Sequence, residues 1–593
     1  VVPHLREVLL LALLFAAPFV VAVLAQPAGS PPQSMDVALI ELRTSDVAGH
    51  LPLVGSYERQ GGNQPGPWLF YALALPHALF GPVGLAVGAA LIGWSSVLGM
   101  LVVADRRGGR PLLLWVALLV GVLIAGRGGA ALADPWEPHV ALLVLALLAL
   151  LVWEGAVGSL WALVVAVALG SFLAGAWLVL GPTVAALAIV AAVAVVRRAP
   201  GMWRDVEGAG RRTLLWCAAT AGVIAAVMWL PPLVEQLVEE PGNLAGLFGV
   251  AGEGAAVGLG QGSRAVALQL GVWPIWAGRD VPTTLVSGVD ASTWTVPVAL
   301  LAWVGAAFWT RHRLNRGLGD SRLGGDLLWL HAVVAAVVVS SVVALSVVPD
   351  FLAVWLVEPS RLVGMMCWLA AGCSVVAGWA RPDVGSVRAG GAGHTVGAGG
   401  VMTLLGWAGV VALVVVASVD ATSDEGRSPL TPAFVELAGD AADALGDEDT
   451  PVLVGSEASA SIVFGSEGVG TAELAALLER EGVETRVQAP WENRFGPHRG
   501  RPETALTELR LRSEPGPPEG SGWVLVSESD PMTARQRQQR AELDRRVDEV
   551  SGGLTGAELL QAAAEDDELR PLVEEQLDSP LQPVLYLWRR TLP

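Results

Sequence analysis

Long apolar runs separated by short polar connections fill the chain to about residue 420, after which the pattern becomes mixed and charged. The hydrocarbon core of a bilayer takes roughly 20 apolar residues per helical crossing. On that measure spans fall near 9–24, 83–104, 111–126, 140–153, 156–176, 180–196, 213–230, 293–310, 326–348, 361–380 and 400–418, which predicts about eleven transmembrane helices. The first run follows His4 and Arg6 and is expected to remain as a membrane helix, with a cleaved signal peptide as the alternative. Trp68–Phe80 is too short to cross. It is framed by Pro65-Gly66-Pro67 and Gly81-Pro82, which suits a re-entrant or interfacial helix.

Arginine fixes the expected orientation, because cytoplasmic connections carry the excess positive charge. Arg106, Arg107 and Arg110, then Arg197, Arg198, Arg204, Arg211 and Arg212, then Arg311, Arg313, Arg316 and Arg322, and lastly Arg381 and Arg388 all fall on one side if the amino terminus is cytoplasmic. Loops 26–82, 127–139 and 231–292 and the carboxyl-terminal region then face outward from a plasma membrane. Residues 420–593 hold 34 Asp and Glu against 16 Arg, so nearly all of the net charge of −19 sits there and the membrane part is close to neutral.

Beyond a polar linker at 420–432, residues 433–593 read as a small α/β domain. Apolar β-like runs occur at Pro451–Gly455, Val483–Gln488, Trp523–Ser527 and Pro583–Trp588, an amphipathic helix at Thr471–Glu481, and charged helices near 533–550 and 555–569. The domain shows no glycine-rich phosphate loop, GxSxG or HExxH, so binding or capping is the expected role. The predicted fold is therefore an α-helical polytopic membrane domain, 1–419, followed by an extracytoplasmic acidic α/β domain.

Composition narrows the function. Only 16% of residues are charged, against about a quarter in soluble domains. The chain has no Lys and is strongly acidic, which argues against nucleic acid as a partner. Cys217, Cys367 and Cys373 lie in apolar stretches without metal-ligand spacing and read as core residues.

Candidate chemistry gathers in the outer loops. Met35-Asp36-Val37 opens an amphipathic helix running to Arg43; Pro52-Leu53-Val54-Gly55-Ser56-Tyr57-Glu58 and Gly62-Asn63-Gln64-Pro65-Gly66-Pro67-Trp68-Leu69-Phe70-Tyr71 follow. Ala133-Asp134-Pro135-Trp136-Glu137-Pro138-His139 opens the fourth span, and Trp229-Leu230-Pro231-Pro232 with Pro241-Gly242-Asn243-Leu244 follows the seventh. This arrangement resembles the GT-C superfamily of polytopic glycosyltransferases, in an actinobacterial branch. The resemblance implies transfer of a sugar from a polyprenyl-phosphate-linked donor to an envelope glycan, glycolipid or protein acceptor on the outer face of the membrane. It also implies that Asp36 is the general base on the acceptor hydroxyl. The family pattern usually has His at Gln64 and Asn at Glu137, which argues against an acid/base or ligand role for Gln64.

A carboxylate within hydrogen-bond reach of a hydroxyl can take its proton as a glycosidic bond forms; equally, Asp36 can serve as a helix cap. Arg43, two turns on, shares a helical face with Asp36 and is a candidate to pair with it or with the donor phosphate. Asp134 is a candidate second carboxylate, with a cap before Pro135 as the alternative, and Arg361 is a candidate phosphate ligand or an interfacial anchor. Tyr57 and Tyr71, with Trp68 and Phe70, form an aromatic group suited to sugar stacking or to the membrane interface. Glu137 and His139 do not make a metal signature. No metal ligands are therefore assigned, and a divalent ion is left open as a cofactor. The rival readings are a flippase for lipid-linked glycans, which calls for ionisable residues at the bilayer midplane, and an inactive scaffold for envelope assembly.

Overall fold

The protein is described by a computed structural model covering residues 2–592 apart from 28, 59–60, 205–207, 251–255, 270–295, 317–320, 350–351, 380–397, 424–429, 447–449, 458–469, 489–490, 514, 531, 555, 567 and 579–583. Arg381 and Arg388 and much of the third outer loop lie outside the described residues.

Helices occupy most of the described residues of each of the eleven predicted spans. The membrane part comprises α1 (Leu5–Leu24), α2 (Met35–Ser45), α3 (Trp68–Phe80), α4 (Val83–Arg127), α5 (Glu137–Val157), α6 (Leu160–Ala176), α7 (Gly181–Arg204) and α8 (Ala209–Val238). It continues with α9 (Asn243–Val250), α10 (Gly258–Leu268), α11 (Val296–Asn315), α12 (Ser321–Ser346), a single turn α13 (Val354–Val357), α14 (Arg361–Trp379) and α15 (Ala398–Asp420). Seven of these, α1, α4, α5, the segment around α7, α8, α12 and α15, are long and apolar enough to cross a membrane. The 45-residue α4 carries two of the predicted spans, and α6, α11 and α14 are helical at the remaining three.

Within α4 the chain turns at Gly109, whose φ of 58° and ψ of −151° a Cβ would oppose, with Pro111 just beyond. Arg106, Arg107 and Arg110 flank that bend; Arg106 and Arg107 pair with Glu154 at the end of α5, which ties the first half of α4 to α5, and Arg110 pairs with Glu7 of α1. Alanine, valine and leucine fill one continuous core among α1, α4, α5, α12, α14 and α15. α5 is buried on nearly every side, as its all-round apolar sequence requires.

The carboxyl-terminal domain runs α16 (Thr431–Leu445), β1 (Val452–Ser456), α17 (Thr471–Arg480), β2 (Thr485–Arg486), a one-turn α18 (Glu492–Phe495), β3 (Thr507–Arg512), β4 (Val524–Ser529), α19 (Ala534–Ser551), α20 (Gly556–Glu565), α21 (Leu569–Asp578) and β5 (Leu585–Thr591). Its sheet has the order β2-β1-β3-β5-β4, parallel on the β2 side of β3 and antiparallel on the other. α16 and α17 cover one face through Phe434, Leu437, Leu474 and Leu478. The central strand β3 is absent from the sequence-based reading. Its sequence, Thr-Glu-Leu-Arg-Leu-Arg, places a charge at every second residue, yet Glu508 is buried there, bonded by Arg510 and by Arg590 of β5.

This domain is seated on the first outer loop. α17 packs on α2 through Ala472, Ala475 and Ala476 against Ala38, Leu39 and Leu42, with Phe495 closing the contact. Arg480 forks onto Glu41 with two bonds of 2.6 Å and also reaches the carbonyls of Gly29 and Ser30. The small alanine face of α17 lets the two helices approach closely enough for this bidentate pair to form.

Candidate active site

Ser34 caps α2 by accepting from the Val37 amide at 3.3 Å, so Asp36 is released from the capping role and points elsewhere. Asp36 is half-buried. Burial pushes the pKa up from 3.8 to about 6; a hydrogen bond from the Tyr57 hydroxyl opposes the rise, Asp134 adds to it and Arg494 opposes it. Tyr57 is delivered by a short loop ladder, where it bridges Asn63 and the Gly55 amide donates to the Gln64 carbonyl at 2.8 Å. Burial next to Asp36 holds the Tyr57 phenol well above its usual range, so it remains a donor.

Arg494 comes from α18 of the carboxyl-terminal domain. Its guanidinium lies between two rings, 4.5 Å from the Tyr57 centroid and 4.4 Å from that of Trp491. The domain that the sequence assigned to binding or capping thus supplies a charge to the surroundings of Asp36. Nothing in the sequence linked Arg494 with Tyr57, because the two meet only when α17 docks on α2.

Asp134 precedes α5 and accepts from the Trp136 amide at 3.0 Å, an Asx turn that fixes its orientation, and pairs with His139 Nδ1 at 2.7 Å. Burial raises its pKa, but His139, the Trp136 amide and Arg127 together outweigh burial and leave it below the usual carboxylate value. The two acids are therefore pushed apart, one anionic and one poised. Glu137 completes the group by accepting from the Ser56 hydroxyl.

Of these carboxylates Asp134 lines a cavity of about 330 Å³, which Asp36 approaches through its neighbour Val37. Val37, Glu41, Asp134, His139, Arg127 and Arg361 are among the residues lining it. Arg361 donates to the Gly126 carbonyl at 3.0 Å and pairs with Glu358 at 3.0 Å; Arg127 pairs with the same carboxylate. Both guanidiniums face Glu358, and Glu41, Asp134 and Asp420 also line the cavity. The buried Nε of Arg127 has no hydrogen-bond partner among the described residues. The sequence carries a signal for Arg127, since it lies at a span end away from the arginine-rich connections.

No family model matches the chain, and no curated protein does. Among solved structures it is similar to ArnT from Cupriavidus metallidurans bound to undecaprenyl phosphate, with TM-score 0.46 and 15% identity over 84% of this chain and 92% of that one. The apo form of the same protein gives TM-score 0.45 with the same identity and coverage. The archaeal oligosaccharyltransferase AglB from Archaeoglobus fulgidus, in complex with an inhibitory peptide and a dolichol-phosphate, gives TM-score 0.41 and 10% identity over 98% of this chain and 88% of that one. At this degree of likeness, function rests on the chain's own residues.

Two candidates lie elsewhere. Arg43 shares the helical face of Asp36, but buried Leu39 and Ile40 fill the interval between them, and Asp46 three residues on takes the guanidinium at 3.1 Å. Tyr71 donates to the Pro52 carbonyl and packs edge-on against Trp68, which fixes the path of the loop that carries Ser56 and Tyr57. Gln64 is a staple: its amide donates to Glu58 at 2.6 Å and accepts from the Leu178 amide at 2.7 Å. Close by, the Gly66 amide donates to the Gly175 carbonyl at 2.9 Å, an approach that leaves a Cβ at Gly66 only 3.2 Å from the Gly175 Cα. His139 and Glu137 belong to no three-residue grouping that converges on an ion; among the described residues that geometry occurs only at Asp46, His50 and His498.

Proposed function

We propose that the protein is a membrane glycosyltransferase that moves a sugar from a polyprenyl-phosphate-linked donor to a hydroxyl of a cell-envelope acceptor on the outer face of the membrane. The observation that carries this reading is a half-buried carboxylate, Asp36, with its pKa near 6, that neighbours Val37 and Asp134 of a cavity lined by Arg127 and Arg361. A base poised near working pH suits proton abstraction from a hydroxyl. Paired guanidiniums suit a departing phosphate.

In the proposed reaction the acceptor oxygen attacks the anomeric carbon as Asp36 takes its proton. The bond from that carbon to the phosphate oxygen breaks, and its electron pair leaves with the polyprenyl phosphate. Arg127 and Arg361 stabilise the negative charge that builds there. Asp134 and His139 would orient the acceptor at the cavity wall, and no step draws on a metal ion or other cofactor. In this reading Asp36, Arg127 and Arg361 work at the outer ends of the apolar helices, so the prenyl tail can stay in lipid while the sugar meets the acceptor.

The test is transfer of labelled sugar from a panel of polyprenyl-phosphate sugars by the purified protein in nanodiscs. Turnover of one donor is expected, and Arg127→Gln should raise the KM for that donor about tenfold or more, the worth of a hydrogen bond to a charged group. Absence of transfer from every donor by a folded wild-type protein would overturn the reading.

The pH profile gives a second check. Activity should climb with a slope of one through about pH 6, where Asp36 ionises, and level off above it. Tyr57→Phe removes a donor that favours the carboxylate, so the Asp36 pKa rises and the acid limb moves to higher pH by about one unit. An unmoved limb in Tyr57→Phe would show that another group sets the profile.

A further inference from the structure

A second cluster sits where the first loop meets the carboxyl-terminal domain, about 15 Å along the helix axis from Asp36. Asp46 follows α2, His50 lies four residues later, and His498 stands in the turn after α18. One ligand atom from each lies within 4.8 Å of the others. His498 Nε2 is 3.4 Å from Asp46 Oδ1, and the rings of His50 and His498 are parallel with centroids 3.9 Å apart.

The two oxygens of Asp46 have separate roles. Oδ2 accepts from Arg43 at 3.1 Å and from Arg499 at 3.0 Å, which fixes the carboxylate plane and turns Oδ1 toward His498. A ligating carboxylate held by hydrogen bonds on its other oxygen is the usual outer shell of a metal site. Arg43 and Arg499 oppose a cation, and Glu479 offsets one of them with two bonds of 2.7 Å to Arg499.

The donor set is two imidazoles and one carboxylate. That combination suits zinc and similar transition ions and is a poor match for magnesium or calcium, which prefer all-oxygen shells. Four-coordinate zinc at about 2.0–2.1 Å from each nitrogen brings two imidazole nitrogens to roughly 3.3 Å. Asp46 is buried and held, whereas His50 is exposed, so rotation of the His50 side chain can complete the set.

We propose that Asp46, His50 and His498 bind a zinc-class divalent ion, with water in the fourth position, and that this ion ties the first outer loop to the carboxyl-terminal domain. The site stands on its own geometry and is independent of the glycosyltransferase reading. Two of its ligands come from one side of the domain contact and the third from the other, so binding should strengthen the docking that brings Arg494 to Tyr57.

The experiment uses tag-free, full-length protein in detergent, stripped with chelator and titrated with Zn²⁺ by calorimetry, with Tm followed in parallel. One saturable Zn²⁺ per chain is expected, together with a rise in Tm that Mg²⁺ does not reproduce. Because His50 is exposed, His50→Ala should fold as wild type does yet lose at least tenfold in Zn²⁺ affinity and lose the rise in Tm. Co²⁺ should give the visible absorption of a four-coordinate ion in wild type and not in His50→Ala. Absence of saturable Zn²⁺ binding by wild type, or binding of equal affinity and stoichiometry by His50→Ala, would overturn the proposal.

Discussion

Asp36→Asn is expected to lower sugar transfer by about 10²–10⁴-fold, the usual contribution of a positioned general base, while leaving the protein as stable as wild type or more so. The two halves of that expectation share one cause. Folding carries the Asp36 carboxyl from water into a buried setting and lifts its pKa from 3.8 to about 6. The folded state therefore holds the proton more tightly than the unfolded one. Stability falls as pH rises through that interval, by as much as about 3 kcal/mol above it. Asparagine has nearly the same shape, can still accept from Tyr57 and carries no charge to desolvate, so it removes the cost together with the base. Activity at pH 7.5 and Tm from thermal unfolding test the pair of statements together. A variant that keeps full activity would remove Asp36 from the chemistry. Loss of activity together with a lowered Tm would mean that the carboxylate is structural.

The sequence exposed those parts of this site that are local along the chain. An acid just beyond the first apolar helix marked Asp36, and an acid before Pro135 at the opening of a span marked Asp134. Apolar run length located the helices, because a bilayer imposes a similar length on each crossing, and seven of them among the described residues are long and apolar enough to cross. What escaped were relations made by docking. Helical spacing placed Arg43 with Asp36, but a long side chain takes the nearest buried carboxylate, and Asp46 is that group. Tyr71 looked like a ligand because it is aromatic and near the interface, yet its hydroxyl is consumed by a backbone carbonyl. Arg494 reaches Tyr57 only across the α2–α17 contact, which rests on alanines that carry no distinctive pattern in sequence. β3 was hidden by alternating charges that are paired inside the sheet.

The contact between the first loop and the carboxyl-terminal domain should depend most strongly on Arg499. This side chain is buried, donates twice to Glu479 at 2.7 Å, and also reaches Asp46 at 3.0 Å and the Phe495 carbonyl at 2.7 Å. These partners push its pKa above the usual arginine value, so it is charged at every accessible pH. Arg499→Leu leaves Asp46, which is buried, with Arg43, and Glu479, which is half-buried, with the Thr485 hydroxyl. Removing one member of a buried charged group costs about 3–5 kcal/mol, mostly because the stranded charges stay desolvated. Arg499→Leu should therefore lower the unfolding free energy by about that amount in denaturant titrations. The double variant Arg499→Leu/Glu479→Leu should recover part of the loss, because it removes one of the stranded charges. A loss below about 1 kcal/mol, the range of an exposed ion pair, would show that the cluster is solvated and that the domain is held by the alanine face of α17 alone. Transfer activity reports on the same event. Arg494 sits in the turn that Arg499 closes, so an unseated domain withdraws its charge from Asp36 and lowers transfer.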